Sequence, residues 1–320
     1  MTVAAPASLA GRPGPGRGPV ARRARWWLPR LALAVLVGLA LGTAIDVVRA
    51  GGPRLWLARH GVQPAYEALG RRVSVGGRSL YLDCRGAGGP TIVLEAGMGS
   101  GAEGWGAVLP ELAELSRTCA YDRLGRGRSD AGGRTDLAAA ADDLTVLLSA
   151  AGERGPYLLV GHSLGADIAR VFAGRHRDEV AGLLLLDGFD PDILQDRVLP
   201  LVGPLAPEYR AGLAALWAQV GRVEGYQAAP SEAQLRAADL RGLPVEVLLA
   251  PRTEPRLDPA DNAAIVEARR AGYEALSPGR VRVSWAEGSG HLVALDRPDL
   301  VVAAVRRLLG REPGTTGLQG

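Results

Sequence analysis

Pro156-Tyr-Leu-Leu-Val-Gly-His-Ser-Leu-Gly165 is the most informative stretch of this sequence. Its apolar residues 157–160 are typical of a buried strand. They run directly into Gly161 and Gly165, which flank a serine, and residues 166–173 are predicted to form a helix. A strand, a tight turn and a helix therefore follow one another, and the turn carries the pattern G-x-S-x-G.

Such a turn favours a reactive serine at position 163. Small neighbours let the chains approach closely, and the strained backbone lifts the hydroxyl clear of the sheet. The following helix directs its unpaired N–H groups at the same spot, where they would stabilise developing negative charge. The pentapeptide alone also fits an ordinary glycine-rich turn. The strand before it and the helix after it favour the functional interpretation.

Composition bounds the possible partners. The chain has 320 residues, a formal net charge of +3 and 37 basic residues, all of them arginine. Six arginines precede the first acidic residue, Asp46, which leaves 31 arginines against 34 acidic residues, a net charge of −3, for the remainder. We therefore predict no nucleic-acid partner. No clustered spacing of Cys and His indicates a metal site.

The first fifty residues differ from the rest of the chain. Residues 1–25 are predicted to be a disordered basic N-terminus, and residues 26–50 a transmembrane anchor with its N-terminus in the cytoplasm. A signal peptide cleaved near Ala50 is the alternative. The first interpretation predicts a membrane-anchored protein with the following domain outside the cytoplasm, and the second predicts a secreted one.

Residues 70–310 alternate between strand and helix signals. A hairpin is predicted around Gly76-Gly77, and further strands at residues 91–95, 118–121, 157–160, 180–186, 244–250 and 281–285. Apolar strands that alternate with helices indicate a mostly parallel twisted sheet of about eight strands, with helices on both faces. Residues 188–243 lack a strand signal and are predicted to form a helical cap inserted between strands 6 and 7. Residues 311–320 are predicted to be a loose tail.

Four motifs, in this order, resemble those of the α/β-hydrolase superfamily, and in particular its serine esterase and lipase-like branch. They are Gly-Met-Gly at 97–99, Tyr-Asp-Arg-Leu-Gly-Arg-Gly-Arg-Ser-Asp at 121–130, Gly-His-Ser-Leu-Gly at 161–165, and Gly-Ser-Gly-His at 288–291. Together they are specific, although each alone is not. This chain has Ala96-Gly97 where many members have His-Gly. Because the donors at that place are backbone N–H groups, the departure removes no catalytic group.

The resemblance implies a serine hydrolase that cleaves carboxylic esters through an acyl-enzyme and needs no cofactor. Ser163 would be the nucleophile and His291 the general base. The backbone N–H groups of Met98 and Leu164 would form the oxyanion hole. His162 is a lesser candidate for the base, because its side chain is expected to point away from the Ser163 hydroxyl.

The acid that completes the triad is open between two residues. The usual place in this family is the loop after strand 244–250, which offers Glu254 but lacks the expected Gly-x-x-Asp pattern. Asp187 directly follows strand 180–186, where some lipase-like members place their acid. An aspartate at a strand end can equally be a turn-former. We rank Asp187 first and Glu254 second.

The resemblance also bears on the two cysteines. With the family's usual strand order, Cys84 and Cys119 would lie near the ends of neighbouring strands. A disulfide is predicted in an oxidising compartment, provided that the two Cα atoms lie within about 7 Å of each other. Two buried free thiols are the alternative.

The implied substrate is a small-molecule ester or a lipid-like molecule. Two other classes of function remain open. One is a non-hydrolytic enzyme of the same fold that shares the triad, such as a cofactor-free haloperoxidase or a lyase. The other is a catalytically silent binding module. Epoxide hydrolase and haloalkane dehalogenase chemistry is disfavoured, because those branches need Asp where Ser163 stands. The sequence does not indicate an oligomeric state.

Overall fold

The computed structural model describes residues 66–251 and 255–311 of the chain. Its centre is a single eight-stranded sheet. The strands in chain order are β1 Arg71–Val75, β2 Arg78–Arg85, β3 Thr91–Glu95, β4 Thr118–Tyr121, β5 Tyr157–His162, β6 Val180–Leu186, β7 Val245–Leu249 and β8 Val281–Trp285. Their order across the sheet is β1-β2-β4-β3-β5-β6-β7-β8. Strand β2 runs in the opposite direction to the other seven strands, which are parallel to one another. The predicted mostly parallel sheet is therefore confirmed.

Helices cover both faces of this sheet. The longer ones in the described chain are α1 Leu109–Leu115, α2 Leu137–Ala151, α3 Leu164–Arg175, α4 Ala206–Glu224, α5 Ala228–Ala237, α6 Pro259–Glu274 and α7 Pro298–Leu308. Successive side chains of a strand point to opposite faces. Leu159 of β5 accordingly packs into one core cluster with α2, α3 and α6, and its neighbour Leu158 packs into the other with α1 and α7. Both faces are buried, which explains the unbroken apolar runs of the central strands.

Aspartates cap the N-termini of two helices, and glycines end two helices at their C-termini. Asp136 precedes α2 and accepts a hydrogen bond from the backbone N–H of Ala139. Asp258 precedes α6 and accepts one from Asp261. Gly152 and Gly225 end α2 and α4 with φ of 79° and 85°, a conformation that favours glycine.

The segment 188–243 lies between β6 and β7 and is helical, as predicted. It contains α4, α5 and several single-turn helices, and no strand is found in it. The physical reason is its composition, because glycine and proline separate short amphipathic stretches that offer no buried strand. That this insertion acts as a cap over the ligand site remains a prediction.

Cys84 and Cys119 are joined by a disulfide, which confirms the predicted pairing. The two residues are direct partners in the antiparallel register of β2 and β4. Their Cα atoms lie 4.0 Å apart, within the limit set from the sequence. The bond ties the one antiparallel strand to the parallel part of the sheet.

The predicted membrane anchor requires a correction. It falls on residues 26–50, which lie outside the described residues, as does the predicted N-terminus 1–25. Across residues 66–251 and 255–311, no helix is long and apolar enough to cross a bilayer. The longest, α4, has 19 residues and carries charges at Glu208, Arg210, Arg222 and Glu224. The prediction of a membrane-anchored or secreted protein is therefore not upheld. Of the predicted tail 311–320, only Arg311 is described.

Candidate active site

The turn between β5 and α3 presents Ser163 in an uncommon backbone conformation. Its φ is 52° and its ψ is −122°, a combination that costs a residue with a side chain on the order of 1–3 kcal/mol. A Cβ atom on Gly161 would lie 2.5 Å from the carbonyl oxygen of Gly165, and one on Gly165 would lie 2.1 Å from that of Glu95. Both glycines are therefore needed for the chain to turn this sharply. The strand-turn-helix arrangement predicted from the sequence is present.

Three of the predicted site residues come together at the carboxyl edge of the sheet. His291 Nε2 lies 3.0 Å from Ser163 Oγ, and His291 Nδ1 lies 2.7 Å from Asp187 Oδ2. Ser163 follows β5, Asp187 follows β6 and His291 follows β8. An ionised carboxylate only accepts hydrogen bonds, so Asp187 favours the tautomer with its proton on Nδ1. The unprotonated Nε2 then accepts the Ser163 O–H, which is the arrangement a general base requires.

Asp187 is completely buried, and its second carboxylate oxygen is also held. Oδ1 accepts hydrogen bonds from the backbone N–H of Ala250 and from Arg269 Nη2, each at 3.3 Å. Arg269 belongs to α6 and is itself buried. The sequence contains no signal for this contact, because a lone arginine on a helix looks like a solvent-exposed residue. Glu254, the alternative acid, lies outside the described residues.

His162 contacts His291 rather than the serine. Its Nε2–H donates to the backbone carbonyl oxygen of His291 at 2.7 Å, and the two ring centroids are 4.7 Å apart. The sequence predicted only that this side chain points away from the Ser163 hydroxyl. The contact with the loop after β8 depends on the arrangement of the strands and has no local signal.

The loop after β3, residues 96–99, packs directly against this turn. A Cβ atom on Gly97 would lie 2.9 Å from His162 Nδ1 and 3.4 Å from Ser163 Cβ. Met98 lines the same cavity as Ser163 and His291. Leu164 is the first residue of α3, so its N–H is one of those without a partner inside the helix. The use of Met98 and Leu164 as oxyanion donors stays a prediction.

A cavity of about 560 Å³ opens beside Ser163 and His291. Its walls come from residues 96–107, residues 291–295 and Tyr66. This volume is within the usual range for small-molecule sites, about 300–1,000 Å³. The insertion 188–243 instead lines, together with α6, a separate cavity of about 400 Å³. The cavity at this site is therefore formed mainly by the segments that follow β3 and β8, and not by the insertion.

One group of potential metal ligands clusters in the described chain, at Cys84, Cys119 and Glu153. The disulfide removes both thiolates, which are the form of cysteine that binds metals. The residues of this cluster therefore do not fit a metal site in the oxidised protein.

Comparisons with known proteins agree with the fold described above. Residues 90–223 match a family model described as alpha/beta hydrolase fold. The uncharacterized protein YqjL of Bacillus subtilis (strain 168) is 36% identical over 107 residues, which are 32% of this chain and 41% of YqjL. Epoxide hydrolase 3 of Xenopus tropicalis is 34% identical over 113 residues, which are 34% of this chain and 30% of that protein. Each alignment thus spans less than half of the relative's own length.

Solved structures extend the likeness beyond the matched residues. One of them is the structure of AqDC in complex with its product, which concerns the recognition and ring-cleavage of the Pseudomonas quinolone signal by that protein. It superposes on this chain with a TM-score of 0.55. It is 19% identical and covers 75% of this chain and 99% of that one. At this level of identity the likeness establishes the shared fold and carries no information on the substrate.

Proposed function

We propose that this chain, which belongs to the α/β-hydrolase superfamily, is a serine hydrolase that cleaves carboxylic esters through an acyl-enzyme. The observation that supports this most directly is the hydrogen-bonded series from Ser163 through His291 to Asp187. A serine hydroxyl is too weak a nucleophile by itself and needs an adjacent base. The imidazole of His291 is within hydrogen-bond distance of it, and a buried carboxylate orients that imidazole.

The reaction would proceed in two halves. Ser163 Oγ attacks the ester carbonyl carbon while His291 Nε2 takes the hydroxyl proton, and the buried Asp187 carboxylate stabilises the imidazolium. The N–H groups of Met98 and Leu164 would hold the oxyanion of the tetrahedral intermediate. When that intermediate collapses, the ester C–O bond breaks and the alcohol leaves with the proton from His291. Water activated by His291 then attacks the acyl-enzyme, which releases the acid and restores Ser163.

The nature of residue 163 separates this proposal from other chemistries of the superfamily. Epoxide hydrolysis, the activity in the name of one relative, needs Asp where Ser163 stands and is therefore disfavoured. A lyase or a cofactor-free haloperoxidase could share the three residues. Turnover of an ester, with release of acid and alcohol in equal amounts, would distinguish hydrolysis from both. A silent binding module would neither turn over an ester nor react with a covalent probe.

Covalent labelling tests the proposal directly. The full chain should react stoichiometrically with a fluorophosphonate probe and should hydrolyse p-nitrophenyl acetate. Ser163→Ala should abolish both, because the attacking oxygen is gone. Ser149→Ala, at an exposed position of α2, is the matched control and should behave like the wild type. Labelling of Ser163→Ala at the wild-type level would remove Ser163 from the mechanism.

A further inference from the structure

We propose that Glu224 is a positioning residue that holds the loop of residues 96–99, here called the oxyanion loop, in the orientation needed for catalysis. Glu224 is the last residue of α4, so it belongs to the insertion and not to the strands that carry the site. The inference rests on the proposed function, because it assigns a role in the same reaction. It also links the insertion to the oxyanion hole.

Both carboxylate oxygens of Glu224 are engaged below the surface. Oε1 accepts from the backbone N–H of Gly99 at 2.7 Å and from Arg123 Nη2 at 2.8 Å. Oε2 accepts from Arg123 Nε at 3.3 Å. Glu224 is 4% exposed and Arg123 is 5% exposed, so water cannot replace these contacts freely. Glu224 thus binds the oxyanion loop directly, through Gly99, and also through Arg123.

Arg123 binds the other end of the same loop. Nη1 donates to the carbonyl oxygen of Ala96 at 2.6 Å and to Glu95 Oε1 at 2.7 Å. Nη2 donates to the carbonyl oxygen of Gly97 at 2.7 Å. Together with the bonds to Glu224, these contacts use all five N–H donors of the guanidinium group. Its position is therefore fully determined by the loop on one side and by Glu224 on the other.

The bond to the Gly97 carbonyl sets the direction of the predicted oxyanion donor. The carbonyl of Gly97 and the N–H of Met98 belong to one trans peptide group, in which they point in opposite directions. Arg123 binds the carbonyl, so the N–H of Met98 points away from Arg123. Glu224 binds the next N–H, that of Gly99, and so restrains the following peptide as well. Rotation of the Gly97–Met98 peptide would break the bond to Arg123, and Glu224 stabilises this orientation through both contacts.

The charges in this network favour an ionised Glu224. Burial acts to raise the pKa of Glu224, but the charge and hydrogen bonds of Arg123 outweigh it and hold the pKa below its ordinary value. Burial raises the pKa of Glu95, the other acid on Arg123, despite the attraction of the same guanidinium. Of the two acids that bind Arg123, Glu224 is therefore the one that keeps its negative charge more readily.

Steady-state kinetics of Glu224→Gln test this role. Gln keeps the shape but has one acceptor oxygen where the carboxylate has two, so its N–H₂ must face at least one of the donors of Gly99 and Arg123, and the negative charge is lost. Removal of an oxyanion donor typically lowers kcat by about 10²–10³-fold, so a mispositioned donor should lower it by roughly 10- to 100-fold. KM for p-nitrophenyl acetate should change little, because acylation and deacylation both pass through a tetrahedral oxyanion and should slow by similar factors. Glu208→Gln, at an exposed position of α4, is the matched control and should leave kcat unchanged.

Inhibition by a trifluoromethyl ketone separates positioning from general damage. This probe forms a tetrahedral adduct with an oxyanion, so its inhibition constant in Glu224→Gln should weaken by about the same factor as kcat falls. Glu224→Asp, which keeps the charge, should recover part of the loss. A kcat within twofold of the wild type in Glu224→Gln would overturn the inference. So would an unchanged inhibition constant alongside a lowered kcat. Wild-type protein without ester turnover or probe labelling would instead refute the proposed function itself.

Discussion

The Nε2 atom of His291 lies 3.0 Å from the hydroxyl oxygen of Ser163, although 128 positions separate the two residues along the chain. They follow β8 and β5, and two further strands lie between these in the sheet. The carboxyl ends of parallel strands meet at one edge, so residues distant in sequence can share a site there. Asp187 follows β6, one of the intervening strands, and completes the series.

The identity of the acid is testable by paired substitutions. Asp187→Asn should lower kcat by about 10⁴-fold, because Asn offers an N–H to His291 and favours the tautomer that cannot accept the serine proton. Glu254→Gln, at the alternative acid, should keep kcat near the wild-type value. The kcat of each variant is measured with p-nitrophenyl acetate, once a cooperative thermal unfolding transition has shown that the variant is folded. An active Asp187→Asn enzyme together with an inactive Glu254→Gln enzyme would assign the acid to Glu254.

Removal of Arg269 should destabilise the domain. Arg269→Met removes the ion pair that Arg269 makes with the buried Asp187, and breaking a buried ion pair from one side costs about 3–5 kcal/mol. The free energy of unfolding from urea titration measures this loss. Arg270→Met is the matched control, since the adjacent Arg270 is exposed and pairs with Glu267 on the surface. Equally small losses in the free energy of unfolding for the two variants would mean that Arg269 does not stabilise the buried Asp187.

Reduction of the disulfide should lower the stability of the domain. Cys84 and Cys119 are 35 positions apart, and closing a loop of that length stabilises a fold by about 4 kcal/mol in the chain-entropy model. We expect the urea midpoint to fall when a reductant is added, once both thiols are shown to be free. The double variant Cys84→Ala/Cys119→Ala should not respond to reductant. An unchanged midpoint in fully reduced wild-type protein would contradict the prediction.

Stability should fall as the pH rises towards neutrality because of Asp190. Burial raises the pKa of Asp190 to about 7, against the attraction of Arg170. The charged groups around it are Asp167, Arg170, Asp187, Asp192 and Arg269. Between about pH 4, where an unfolded Asp titrates, and pH 7, the native state holds a proton that the unfolded state has lost. The stabilisation from this protonated group is therefore present below pH 4 and is lost as the pH passes through 7.

Asp190→Asn isolates this contribution. Asn cannot titrate, and it tolerates the φ of 46° found at this position better than most residues. Urea unfolding at pH 5 and pH 8 should show that the wild type loses more stability between the two values than the variant does. Equal losses in both proteins would show that Asp190 does not titrate in this window.

The elements of the sheet follow from short-range patterns. The predicted strands at 91–95, 118–121 and 281–285 coincide with β3, β4 and β8. Each is a run of apolar or alternating residues bounded by polar, glycine or proline residues, and such a pattern acts within a few residues. The disulfide could be predicted only through the family's strand order, since nothing in residues 84–119 alone specifies that β2 pairs with β4.

The residues that support the site have no local signal in the sequence. Arg123 and Glu224 are 101 positions apart, and Arg269 is 82 positions from Asp187. Arginine and glutamate occur throughout the chain, so their sequence context does not distinguish a buried pair from a solvated one. Only the packing of α4 and α6 against the loops after β3 and β6 excludes water from these pairs.

The turn around Ser163 is encoded locally, because two glycines, an apolar strand and a following helix define its geometry within about ten residues. The sequence also named His291, and it left Asp187 and Glu254 open as acids. The three-dimensional arrangement of the strands brings Asp187 to 2.7 Å from His291. No local pattern could specify this, because the distance between two loops depends on how all the intervening strands and helices pack. The contacts of Glu224 with Gly99 and Arg123 arise from the same long-range packing.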